Sequence, residues 1–192
     1  VEQTLDHNDI VPFIVENLKK LNLVTFIFYL ANAAGLLYLI TFIYQNFNAV
    51  SIWQILLSIV LGALLILPIV PVHELLHGIA YKISGARTVT YGANWQQLYF
   101  TASAHLFVAG YIKFLFVGLL PFVIINLFGF CAIWMLPAQW GIMILFCLVL
   151  HNTMCAGDFG ILGYFHENRN TSPVTFDDVK NQISYFLVRE NN

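Results

Sequence analysis

One long apolar run, from Ile52 to Ile83, limits what this chain can fold into. Its polar side chains are concentrated in the segment His73-Glu74-Leu75-Leu76-His77, and the few outside it are Gln54, Ser58 and Lys82. A helix of this length can cross a bilayer, whose hydrocarbon core requires about 20 apolar residues. Ionisable groups at the bilayer centre cost about 2.5 kcal/mol or more each. Three of them within about one turn therefore indicate a site that neutralises or uses them at that depth.

The overall composition also predicts an integral membrane protein. The mean hydropathy is +0.77 and only 9% of the 192 residues are charged, whereas about a quarter are charged in soluble domains. With eight Lys and Arg residues and a net charge of −2, the chain lacks the basic face of a nucleic-acid partner. The cysteines at 131, 147 and 155 lie in apolar runs and imply no disulfide framework. Since the polar start at residues 1–8 has no basic region leading into an apolar core, we expect no cleavable signal peptide.

Four membrane-spanning helices are predicted from the lengths of the apolar runs, at about residues 23–44, 51–84, 109–136 and 141–162. Pro68 and Pro71 predict a kink or a break in the second helix. Residues 86–105 are rich in β-branched and aromatic side chains, which predicts a hairpin or an irregular sheet. The predicted fold class is an all-α membrane protein. It forms a single domain, residues 1–192, with a short β-hairpin between the second and third spans.

The segments 8–22 and 163–192 flank this bundle. The first has the apolar spacing of a short amphipathic helix at the membrane surface, although a solvated flank would explain it equally. The second is predicted to be a cytoplasmic tail with an amphipathic surface helix over residues 174–187. Four spans place both termini on one side of the membrane, and every basic residue except Lys113 falls on that side. The positive-inside rule therefore places both termini in the cytoplasm.

The two histidines of the polar segment lie four residues apart and share one face of a helix. Such a pair can bind one Zn²⁺, with Glu74 beside the metal as a general base. Catalytic zinc usually has three protein ligands, and of the ten acidic residues only Glu74 and Asp158 lie inside predicted spans. Counted from the ends of their helices, His77 and His73 lie about 7 and 13 Å deep and Asp158 about 12 Å deep. We predict a zinc site between the second and fourth helices, with ligands His73, His77 and Asp158.

Several polar residues of these spans allow more than one interpretation. Without a metal, the histidine segment could be a set of hydrogen-bonded groups that pack helices, and Asp158 a protonated acid. Asn152, about 9 Å before Asp158 along a helix, could donate to a substrate carbonyl, and helix–helix contact would explain it equally. His151 could support the site or transfer protons, Cys155 could coordinate, and His105 could approach from the rim. Packing is the simpler interpretation for His151 and Cys155, and solvation for His105.

The chain resembles the intramembrane zinc metalloproteases of the site-2 protease class, and more closely a family of small membrane proteins known as zincin peptidases. The likeness extends from Pro68 to Gly160. Residues 73–78 are similar to the zinc helix, the β-rich stretch before Ala109 to a membrane-dipping hairpin, and residues 152–158 to the segment with the aspartate ligand. The resemblance implies metal ligands at His73, His77 and Asp158, a base at Glu74, and assistance to the substrate carbonyl from Asn152.

The expected function is that of a zinc-dependent intramembrane endopeptidase in a bacterial cytoplasmic membrane. It would hydrolyse peptide bonds of membrane-anchored proteins or peptides near the cytoplasmic face. A membrane protein with a structural or sensing metal is one alternative, and a metal-dependent hydrolase of a lipid-linked substrate is another. A transporter is the least favoured, because the outer halves of the spans offer few polar groups to line a path.

Overall fold

A computed structural model describes residues 2–6, 9–94 and 99–187. The helices are α1 (Ile10–Lys19), α2 (Leu23–Asn46), α3 (Ile52–Ile83), α4 (Tyr111–Met135), α5 (Ala138–Met154) and α6 (Ala156–Glu167). The strands are β1 (Glu2–Asp6), β2 (Thr90–Asn94), β3 (Tyr99–Ser103), β4 (Ala109–Gly110), β5 (Val174–Asp178) and β6 (Ile183–Leu187). Outside the described residues lie residues 95–98 of the predicted hairpin segment, residues 188–192 at the end of the predicted tail, and residues 1, 7 and 8.

Three helices, α2, α3 and α4, are each long and apolar enough to cross a membrane. The pair α5 and α6 meets the same test together and is bent by 43° between its two parts. Side chains cap the exposed backbone donors where spans begin: Asn22 accepts hydrogen bonds from the N–H groups of Val24 and Thr25, and Ser51 accepts one from Gln54. The prediction of a mostly helical chain with several apolar spans is confirmed.

Helix α3 continues through Pro68 and Pro71, so the predicted alternative of a broken helix is wrong. Each proline removes one backbone donor, but within hydrocarbon no water competes for the remaining hydrogen bonds and neighbouring helices can satisfy the freed carbonyls. The histidine segment therefore lies on an uninterrupted helix.

The β-structure is more extensive than predicted. Strands β2 and β3 form an antiparallel hairpin in the predicted segment, with Tyr91 opposite Ala102. A second, four-stranded antiparallel sheet has the order β1-β6-β5-β4 and joins the two ends of the described chain. Its strands β5 and β6 occupy residues 174–187, where an amphipathic helix was predicted, and that prediction is wrong. Burial in β6 alternates, with Ser184 and Phe186 buried, which is the period of a strand covered on one face.

Helix α1 packs against α6, with Phe13 and Asn17 buried and Val11 and Val15 exposed. The helices approach closely at Gly160, where an added Cβ would lie 3.0 Å from the main-chain oxygen of Ile14. The surface helix predicted at 8–22 is thus partly a packing element. A buried aromatic cluster connects α1, α6 and the four-stranded sheet, and it includes Phe13, Phe159, Phe165 and Phe186.

Candidate metal centre

The two histidines of α3 are buried and face the same point. His73 and His77 are 9% and 7% exposed, and their Nε2 atoms lie 2.9 Å apart. This convergence follows from their spacing of four residues on an unbroken helix, which stacks the two side chains. The position that they share is therefore fixed by α3 alone.

Asp158 reaches that point from the other side of the bundle. The chain bends between Met154 and Ala156, and Asp158 lies in the first turn of α6. The free N–H groups and the dipole at a helix N-terminus favour a carboxylate there. Asp158 Oδ1 lies 3.1 Å from His77 Nε2, and Oδ2 lies 3.3 Å from His73 Nε2. The structure brings the three predicted ligands together between α3 and α6.

The hydrogen bond of His77 fixes which of its ring nitrogens can face a cation. Its Nδ1 lies 2.9 Å from the carbonyl oxygen of Val117. Since a carbonyl can only accept, Nδ1 carries the ring proton, and the Nε2 of the neutral ring has a lone pair. This lone pair faces a carboxylate oxygen of Asp158, and two acceptors at 3.1 Å repel each other unless a cation or an added proton lies between them.

The spacing of the three groups also fits zinc. Ligand atoms at roughly 2.0–2.1 Å around a tetrahedral zinc lie about 3.3 Å from one another. The corresponding distances among His73, His77 and Asp158 are 2.9, 3.1 and 3.3 Å. Two imidazoles and one carboxylate are also a usual ligand set of catalytic zinc.

Two other sets of potential ligands occur in the described part of the chain. Ligand atoms lie within 4.8 Å of one another in the set of His73, Glu74 and His77, and in the set of His73, His151 and Cys155. Glu74 accepts a hydrogen bond from the backbone of Ala102 in β3. Asp158 instead contacts both motif histidines, so we favour it as the third ligand and leave Glu74 as the adjacent base.

A cavity of about 480 Å³ opens beside these groups. The three ligands and Glu74 form part of its wall, and most of the remainder is apolar, contributed by α1, β3, α4 and the four-stranded sheet. A second cleft, of about 360 Å³, lies between α3 and the β2–β3 hairpin, with Leu75, Tyr91 and Phe100 in its wall. Glu74 lines both spaces. It therefore lies between the inner cavity and the cleft beside the hairpin.

The glycine that follows the histidine motif has a packing role. A Cβ added to Gly78 would overlap the hydroxyl oxygen of Tyr91 in β2. The missing side chain therefore lets the hairpin lie directly on α3 at this position. In this position the hairpin also places Ala102 at the carboxylate of Glu74.

Asn152 and His105, two further candidates, lie apart from the metal ligands. Asn152 is buried, and its Oδ1 accepts a hydrogen bond of 2.7 Å from Asn126 of α4. Neither residue is among the described side chains that line the larger cavity. His105 lies at the four-stranded sheet, where its Nδ1 accepts a hydrogen bond from the backbone of Val179. The catalytic role of Asn152 stays a prediction.

Each motif histidine also has a contact at its Nδ1 atom, on the side of the ring away from Asp158. His151 lies with Nε2 at 3.0 Å from His73 Nδ1 and at 3.8 Å from Cys155 Sγ. The sequence left a supporting role and plain packing open for His151, and the structure places its ring against that of His73. The contact of His77 with Val117 was not foreseen, because it involves a main-chain atom. The sequence did contain one signal for this contact. Pro121, four residues after Val117, has no N–H to donate to the Val117 carbonyl, which is therefore free to accept a hydrogen bond from elsewhere.

The fold and the site together define a largely helical protein with three to four apolar spans and a zincin-type motif. The model of the family described as "Putative zincin peptidase" matches residues 65–172, which is more than half of the chain. The chain belongs to this family, and membership supports a zinc-dependent peptidase, a hydrolase of the metalloprotease class. The matched residues include the motif, the hairpin and Asp158. No curated protein and no solved structure matches the chain.

Proposed function

We propose that this protein is a zinc-dependent intramembrane endopeptidase related to the site-2 protease class. The observation that carries the proposal is the convergence of His73, His77 and Asp158 within 3.3 Å, from two apolar helices and beside the acid Glu74. These three side chains would hold the metal. Membership in the zincin peptidase family supports the chemistry, and the long apolar helices support its location in a membrane.

Glu74 is placed to act as the general base. A zinc ion held by these residues would act as a Lewis acid, which would polarise the scissile carbonyl and lower the pKa of bound water. Glu74 takes the proton from the attacking water and passes it to the leaving amine. The backbone of Ala102 orients the Glu74 carboxylate, and the Val117 carbonyl orients the ring of His77. Asn152 would assist the substrate carbonyl through its Nδ2–H group, since its Oδ1 already accepts a hydrogen bond from Asn126.

The walls of the site support one class of substrate. A helical peptide hides its carbonyls in its own hydrogen bonds, so the cleaved segment must be extended. Strand β3 lines the larger cavity, and an extended peptide entering that cavity would lie along this strand. The walls are mainly apolar, and the cleft beside the hairpin reaches Glu74 through apolar side chains. These features support a membrane protein or peptide as the substrate and the lipid bilayer as the surrounding phase.

We also infer four crossings, with α5 and α6 forming one bent span, and both termini in the cytoplasm of a bacterial cell. Besides the positions of the basic residues, the sheet supports this topology. Strand β1 precedes the first span and pairs with β6, which follows the last one. Paired strands must lie on the same side of the membrane, which requires an even number of crossings. The metal centre then lies toward the cytoplasmic face.

The test uses the full chain purified in detergent and a panel of transmembrane peptides. The wild type should bind one zinc ion per chain and cleave some of the peptides. Glu74→Gln should retain zinc and lose about 10²-fold or more in turnover, since only the proton acceptor changes. Asp158→Ala should lose zinc. Normal turnover in Glu74→Gln would overturn the proposal, and so would full zinc content in Asp158→Ala. Selective hydrolysis of a lipid-linked substrate would favour that alternative instead.

A further inference from the structure

We propose that His151 is a positioning residue, which accepts a hydrogen bond from the ring of His73 and so fixes that ring for metal binding. This inference rests on the metal centre of the proposed function and goes beyond it. It gives a role to a buried histidine that neither the ligand set nor the general base explains.

The direction of the hydrogen bond follows from the geometry of His73. Its Nε2 faces Asp158 and His77, and its Nδ1 lies 3.0 Å from Nε2 of His151. To present a lone pair to a cation at Nε2, the neutral ring of His73 must carry its proton on Nδ1. His151 must then accept the hydrogen bond from that N–H at its own unprotonated Nε2. The ring of His151 is therefore neutral and carries its proton on Nδ1.

The surroundings of His151 argue against packing as its only role. The residue is 1% exposed, and its Nδ1 makes no hydrogen bond of normal geometry within the described residues, although the amide of Asn152 lies close enough to interact with the ring. A buried polar group without a well-formed hydrogen bond is unfavourable. An apolar side chain at this position would avoid that cost. The contact with His73 gives the imidazole a function that an apolar residue could not supply.

The two motif histidines thus donate to different kinds of hydrogen-bond acceptor, one on the main chain and one on a side chain. His77 donates to a main-chain carbonyl of α4, which no substitution at Val117 removes. His73 donates to a side chain of α5, which substitution can remove. Loss of such an outer hydrogen-bond partner typically weakens metal affinity by about 10–100-fold. His151 is therefore the position at which this support can be tested directly.

A second cation held by His73, His151 and Cys155 is the rival interpretation of the same cluster. It would require His73 to bind metal through both ring nitrogens and to lose its remaining proton. It would also add a further double positive charge to a buried site, balanced only by a thiolate and that imidazolate. The hydrogen bond requires neither change, and the two interpretations predict different numbers of metal ions per chain.

The experiment compares His151→Gln with His151→Met in the full chain in detergent. The two side chains are similar in length, but only glutamine has an oxygen that can accept the hydrogen bond from His73. Zinc affinity is measured by competition with a chelator. We expect His151→Met to bind zinc about 10–100-fold more weakly than the wild type, and His151→Gln to recover most of that loss. In cobalt-loaded protein, the visible absorption bands should shift in the methionine variant more than in the glutamine variant.

Cys155→Ala is the matched control, and its zinc affinity should equal that of the wild type. Thermal unfolding checks that each variant is folded. If His151→Met does not fold, His151→Asn replaces it, because the shorter amide does not reach His73. Equal zinc affinity in the glutamine variant and the variant without a reachable acceptor would overturn the proposal. Two zinc ions in the wild type, falling to one in Cys155→Ala, would also overturn it.

These results are independent of peptide cleavage. A wild type that binds zinc but cleaves no peptide would count against the proposed function, and the comparison of the His151 variants would still decide this inference. A wild type that binds no zinc would overturn both.

Discussion

The ring of His77 donates its Nδ1–H to the main-chain oxygen of Val117 over 2.9 Å. In a regular helix that oxygen would accept the N–H four residues later, but this residue is Pro121, which has none. The proline leaves an acceptor free in an apolar helix, where an unpaired carbonyl is costly. His77 satisfies it from α3. A proline of α4 is thereby connected to the candidate metal centre.

Replacing Pro121 by alanine should weaken metal binding although it improves the helix. The restored N–H would compete for the Val117 carbonyl, so the His77 ring would be held less firmly. We expect Pro121→Ala to bind zinc up to about tenfold more weakly than the wild type, as measured by chelator competition. Pro68→Ala is the control, because the carbonyl four residues before Pro68 belongs to Leu64 and contacts no metal ligand. Unchanged affinity in Pro121→Ala would contradict the connection.

Two glycines of α6 should respond differently to the same substitution. A Cβ at Gly160 would lie 2.8 Å from Ile14 Cγ2 and 3.0 Å from its main-chain oxygen, so α1 would have to move. A Cβ at Gly157 would meet only Ile14 Cδ1, at 3.9 Å. We expect Gly160→Ala to reduce stability by about 1–3 kcal/mol. Gly157→Ala should be neutral or stabilising, since alanine favours helix by up to about 1 kcal/mol. Thermal unfolding in detergent measures both, and equal effects would contradict the close packing of α1 on α6.

The convergence of the three candidate ligands could be predicted from the sequence, because helical geometry fixes which face of a helix a residue lies on and how deep it lies. Spacing of four residues places His73 and His77 on one face, and the rise per residue puts Asp158 at a similar depth. The support behind these residues was harder to predict. The Val117 contact is made by a main-chain atom, which no residue type identifies. The hydrogen bond between Asn126 and Asn152 joins two helices whose relative rotation the sequence does not specify.

The fold could be predicted for the apolar spans but not for the chain ends. Apolar length alone identifies a span. The pairing of β1 with β6 joins Glu2 to Leu187, and no local pattern contains that information. Residues 174–187 contain apolar positions that suit a helix or two short strands, and the neighbouring strand decides between them. The bend between α5 and α6 contains no proline, so the usual signal for a break was missing.

The hydrogen bond between Asn126 and Asn152 should make the two residues energetically coupled. Both residues are buried, and the Nδ2 of Asn126 donates a hydrogen bond of 2.7 Å to the Oδ1 of Asn152. We expect Asn126→Ala and Asn152→Ala each to reduce stability by about 1–3 kcal/mol, with the double variant little worse than either. The coupling free energy is obtained from the unfolding free energies of the wild type, the two single variants and the double variant. If Asn152 assists the substrate carbonyl instead, Asn152→Ala alone should lower kcat by about 10²–10³-fold without a matching change in Asn126→Ala.

The turn between β5 and β6 should make the four-stranded sheet sensitive to acid. Asp178 accepts hydrogen bonds from the Asn181 side chain and from the backbone of Lys180 and Asn181, and these bonds lower the pKa of its carboxyl below the ordinary value. A lowered folded-state pKa stabilises the fold above the unfolded-state pKa of about 3.9, and the effect disappears as pH falls through the lowered value. We therefore expect Asn181→Ala, which removes the side-chain donor, to lower Tm at neutral pH. The difference in Tm between the variant and the wild type should shrink below about pH 4, where the Asp178 carboxyl becomes protonated in both proteins. A Tm difference that does not change between neutral and acidic pH would contradict this account of the turn.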